Sequence, residues 1–65
     1  MTEELTDDER ITLIKQGLAT EKYEEWAETG SKEVRMALAV HGYEHDILIH
    51  DPESSIRRRV MAADP

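Results

Sequence analysis

Residues 33–62 read EVRMALAVHGYEHDILIHDPESSIRRRVMA, and the class of the fold turns on how this stretch is divided. Val34, Ala37, Leu38 and His41 recur at helical spacing. Ser31 stands before them as an N-cap, and Gly42 follows as a left-handed stop, so the pattern predicts a helix over 31–41. The apolar run Ile47-Leu48-Ile49 is too brief for periodicity to name. Its context predicts a short helix at 45–50, because Asp51-Pro52 reads as an N-cap followed by proline at the first helical position. A last helix is then expected over 52–63, with Ile56, Val60 and Ala63 inward.

Toward the N-terminus the same punctuation recurs. Thr6-Asp7-Asp8-Glu9 is a capping box, in which a hydroxyl accepts an orphan backbone N–H and a glutamate reaches back to the cap. It opens a helix expected over 7–17, with Ile11, Ile14 and Leu18 on one stripe and Gly17 at its end. Residues 1–5 are expected to be disordered. Thr20 is read as the cap of a shorter helix at 21–29, in which Tyr23, Trp26 and Ala27 share a face and which Gly30 stops.

Sliding the chain against itself relates these pieces. At an offset of about 22, Trp26, Ala27, Val34, Arg35, Leu38 and Val40 fall on Leu48, Ile49, Ile56, Arg57, Val60 and Ala62. At an offset of about 25, Arg10, Leu13, Gly17 and Leu18 fall on Arg35, Leu38, Gly42 and Tyr43. Units of one long and one short helix do not bury their apolar faces alone and must stack on neighbours. The expected fold is therefore all-α, a single domain over 1–65 forming a short right-handed helical-repeat stack of about two and a half units. An irregular three-helix bundle is the alternative.

The segments Glu33 to Ala39, His41-Gly42-Tyr43, Ile47-Leu48, Asp51-Pro52 and Ile56-Arg57 resemble the D-P-x-x-x-V-R-x-x-V-A pattern of HEAT-like repeats. The resemblance is closest to the leucine-rich repeat variant, whose units alternate an α-helix with a short, often 3₁₀, helix. It implies that Arg35 and Arg57 tie neighbouring units together through an acid at the inter-repeat turn, with Asp51 as that acid for the second unit. In the first unit Thr29-Gly30 replaces the Asp-Pro pair. The variant that holds an iron–sulfur cluster does so with cysteines, and this chain has none. The same cadence is similar to that of small proteins carried by phages and prophages of Gram-positive bacteria.

Composition narrows the function. With 15 acidic and eight basic residues the net charge is -7. Ten of the acids lie in residues 1–33 with four bases, giving -6, against five acids and four bases in 34–65, giving -1. Such a surface repels phosphate, which disfavours general nucleic-acid binding. The acidic start, MTEELTDDER, lacks the basic and apolar pattern of a secretory signal, and no run approaches the roughly 20 apolar residues of a membrane span. Together with the lack of cysteine this points to the cytoplasm.

His41, His45 and His50, with Asp46 and Asp51, invite a zinc reading, but Gly42 interrupts the i, i+4 pair that one helix would need. No metal, cofactor or catalytic group is expected, since no nucleophile elbow, phosphate loop or metalloprotease motif is present. Trp26 and Tyr23 are read as core. A non-enzymatic protein-interaction module is expected, with Tyr43, Arg58, Arg59 and Met61 as its contact residues; the phage resemblance implies a host protein as its target. A weak homodimer through the C-terminal helix follows from the apolar surface around Val60, Met61 and Ala62. Two alternatives remain: a nucleic-acid backbone held by Arg57, Arg58 and Arg59, or an acidic surface along Glu21, Glu24, Glu25 and Glu28 that imitates nucleic acid.

Overall fold

The computed structural model describes residues 5–63, and the side chains of 5–62. Those residues form five α-helices and one 3₁₀ turn, with no strand among them: α1 Asp7–Gln16, the 3₁₀ turn Thr20–Lys22, α2 Tyr23–Thr29, α3 Lys32–Val40, α4 His45–Leu48 and α5 Ser54–Ala63. The chain is all-helical, as the periodicity predicts.

Two helix starts form by the expected chemistry. Glu9 N–H donates to Thr6 Oγ1 at 3.2 Å while Thr6 N–H donates to Glu9 Oε1 at 2.9 Å, so both halves of the capping box are made. Ser31 Oγ accepts from Val34 N–H at 3.3 Å. The stops follow as well. Gly17 and Gly42 both take the left-handed conformation, at φ 73° and 85°. Each is followed by one residue and then by a non-glycine left-handed residue, Ala19 at φ 58° and Glu44 at φ 56°. Leu18 N–H returns to the Leu13 carbonyl and Tyr43 N–H to the Leu38 carbonyl, each at 2.9 Å. The backbone thus performs the same manoeuvre twice, 25 positions apart.

Gly30 is required for a different reason. Its backbone is extended, but a Cβ there would stand 2.4 Å from the Trp26 carbonyl oxygen.

The long helices lie side by side, α3 touching α1 on one flank and α5 on the other. The short helices form a second row, with α2 against α3 and α4, and α4 against α5. Ile14, Tyr23, Trp26, Ala27, Val34, Leu38, Ala39, Leu48, Ile56 and Val60 fill the space between the rows. A bundle this small has little depth, so its core depends on few side chains.

Several expectations are corrected. The last helix begins at Ser54 rather than residue 52, because Asp51 is not its cap: the carboxylate turns back to accept from Glu53 N–H and is held by Arg35. Thr20 opens the 3₁₀ turn and caps nothing with its side chain. The helix at 45–50 closes early, at Leu48. His41 is exposed, since the chain leaves the helix there, and fully buried Ala39 takes its place in the core. Leu18 is 52% exposed beyond the end of α1. Leu5, expected to be disordered, packs partly buried against the core. Disorder at 1–4, and the inward side chain of Ala63, lie outside the described residues.

Candidate interaction surface

Asp51 organises the C-terminal half. Its side chain is 3% exposed and accepts from Arg35 Nη1 at 2.6 and 2.8 Å, across 16 positions of sequence. Burial of a carboxylate is tolerable only with such pairing. Arg57 Nη1 donates to the Asp51 backbone carbonyl. The two arginines expected to act structurally therefore converge on one residue, but the carboxylate goes to Arg35 and not to Arg57. Lys32 Nζ adds a second link from α3 to the same turn, 3.5 Å from Glu53 Oε2.

Arg10, which shares their register, has no acid at that place. Its guanidinium carbon lies 5.9 Å from the centre of the Trp26 ring, Nη1 reaches Asp7 at 3.2 Å, and Nε is buried without a partner. Sequence reading missed this contact, although Thr29 in place of an aspartate was the available signal.

With Arg57 held inward, α5 presents Arg58, Arg59, Met61 and Ala62 to solvent. Arg58, Arg59 and Ala62 join Met36 and Ser55 around a shallow groove of about 340 Å³ between α3 and α5. No ion pair holds Arg58 or Arg59 among the described residues. Met61 is 60% exposed. Its register counterparts at offsets of 22 and 47 are Ala39 and Ile14, which are 0% and 1% exposed. Those two side chains lie in the core.

Tyr43, expected as an exposed contact residue, is partly buried and does not line that groove. Its ring packs on Tyr23 with centroids 4.7 Å apart, and its hydroxyl lies 3.4 Å from where a Cβ on Gly17 would stand. Tyr23 and Trp26 are core, as read. The Tyr23 hydroxyl donates to the Leu18 carbonyl at 2.6 Å, closing the exposed end of α1, and burial pushes its pKa up, with Tyr43 and Glu21 adding to the rise. His45, at the start of α4, reaches the Ala39 carbonyl at 3.1 Å, which requires the proton on Nε2. His41 and His50 are exposed, and among the described residues no three histidine or carboxylate side chains are grouped to hold a metal.

On the short-helix side Glu21, Glu24, Glu25 and Glu28 are all exposed. Glu44 stands near them, its pKa raised first by desolvation and then by repulsion from Asp46 and Glu24. Negative charge is thus crowded on the α2–α4 side, while the outer face of α5 is basic around an apolar centre.

No family model matches the chain, and neither the search of characterised proteins nor that of solved structures finds a similar one.

Proposed function

We propose that the chain is a short helical-repeat stack that binds another protein through the outer face of α5. The repeated turns at Gly17–Ala19 and Gly42–Glu44, the ordered row α1, α3, α5, and the Arg35–Asp51 link between successive units support the stack reading. One observation carries the binding reading: Met61 is 60% exposed where the two earlier units bury the same register position. A surface methionine flanked by Arg58 and Arg59 suits an adaptable apolar contact with an acidic rim on the partner. If the sequence cadence marks a small phage protein, a host protein is the partner class to examine first.

A photo-crosslinking amino acid placed at Met61, compared with one at exposed Glu25 on α2, tests this reading in native extract. The expected result is a discrete adduct with a polypeptide from position 61 alone. Adducts of equal yield from both positions, or none from position 61, would refute it. The crowding of Glu24, Glu44 and Asp46 favours a second reading, in which the α2–α4 side engages a basic protein as a mimic of nucleic acid. An adduct from position 25 alone identifies that case.

A further inference from the structure

We infer that the partner of the α5 face is a second copy of this chain, stacked head to tail so that α5 of one molecule packs on the outer face of α1 of the next. This rests on the repeat-stack reading and names the occupant of the same face. Inside the molecule, α3 turns Lys32 and Met36 toward the unit that follows, Lys32 pairing with Glu53 and Met36 lining the groove with Ser55, Arg58, Arg59 and Ala62, and Ala39, one turn on from Met36, is buried. Their counterparts 22 positions later are Ser54, Arg58 and Met61, all exposed. The α5 face therefore repeats the layout that α3 uses to hold α5, and no helix covers it among the described residues.

The receiving surface is present at the other end of the row. Leu5, Asp8, Glu9, Thr12 and Leu13 line a groove of about 350 Å³ on α1. Asp8, Glu9, Thr12 and Leu13 stand 47 positions before Ser55, Ile56, Arg59 and Val60, of which Ser55 and Arg59 line the α3–α5 groove and Ile56 and Val60 are buried in the core. Superposing register on register brings Met61 of one copy toward Leu13 of the next, and Arg58 of the first toward Asp8 of the second. Charge agrees with shape, because Arg58 meets Asp8. The contact uses two different faces, so it does not close on itself as a two-fold dimer. It adds copies in a line.

Sedimentation over rising concentration tests the arrangement with two exposed-site variants, Asp8→Arg and Arg58→Asp, whose folding is checked by circular dichroism. The wild type is expected to show an average mass that climbs without a plateau at two copies. Each variant alone places like charges opposite one another and weakens association by about tenfold or more, roughly 1.4 kcal/mol. Mixing the two variants restores it, since every junction again joins opposite charges. Met61→Glu, which removes the apolar centre, is expected to abolish association alone or mixed. A wild type that stays monomeric, or a mixture no better than its components, overturns the head-to-tail stack. If Asp8→Arg associates normally while Met61→Glu does not, α5 binds but not to α1, so the stack fails and the α5 reading stands.

Discussion

A single buried carboxylate decides how the C-terminal helices meet. Asp51 holds Arg35 through its side chain and Arg57 through its carbonyl, whereas Arg58, one residue on, faces solvent. Removing Arg35 leaves a buried, unpaired charge, so Arg35→Ala is expected to cost about 3–5 kcal/mol. Arg57→Ala strips one donor from a buried carbonyl and should cost about 1–3 kcal/mol. Arg58→Ala should stay within about 0.5 kcal/mol. Urea unfolding of the three variants ranks them, and equal small losses would contradict the geometry. Glu44 supplies a test by pH. Its raised pKa means that the folded state holds the proton more tightly than the unfolded chain does, so its contribution to stability is present below the ordinary carboxylate range and is lost as pH rises through the raised value. Glu44→Gln should therefore melt higher than the wild type at neutral pH, and the difference should close in acid. A constant difference across the titration would show that charge is not the cause.

At the scale of one helix, the ends are where chemistry and sequence agree best. Thr6 and Ser31 each accept a backbone N–H, whereas Thr20 accepts none. Thr6→Ala and Ser31→Ala should each lower stability by about 0.5–2 kcal/mol, with Thr20→Ala close to neutral, as read from thermal melts. These starts, and the stops at Gly17 and Gly42, are legible because their chemistry lies within four residues of chain. Asp51-Pro52 is misread for the opposite reason. Its local pattern is a good helix start, but the carboxylate is claimed by an arginine 16 positions away, and α5 begins only at Ser54. His41 is misread for a related cause: the left-handed Gly42 ends the helix before the histidine can turn inward, and the stripe passes through Ala39. Tyr43 belongs with these cases, since it lies in the connection after α3 while its partner Tyr23 comes from α2, and periodicity carries no information about that pairing. What local pattern fixes was readable, and what long-range pairing overrides was not.

Across the whole molecule, charge is distributed as unevenly as apolar surface. The exposure of Arg58 and Arg59 was legible from the sequence, because an inward Arg57 turns the two residues after it away by about 100° each. The α1 groove was not legible, since its lining depends on how Leu5 folds back onto α1. This distribution bears directly on DNA. Affinity for a duplex grows with the number of phosphates neutralised, and a protein making about 6–10 such contacts is needed for tight, salt-sensitive binding. Here Arg57 is held by the Asp51 carbonyl and successive helical residues diverge by about 100°, which leaves Arg58 and Arg59 as the cations of α5 without an ion-pair partner among the described residues. Two phosphate contacts set against a net charge of -7 give little attraction at any distance, and the crowded acids of α2 and α4 repel the backbone further. Fluorescence anisotropy with a labelled duplex should therefore show no saturable binding near physiological salt, and Arg58→Asp should leave the trace unchanged. Micromolar binding that weakens steeply with added salt and disappears in Arg58→Asp would mean that the basic edge of α5 concentrates phosphate despite its surroundings, and the interaction surface would then have to be reassigned from protein to nucleic acid.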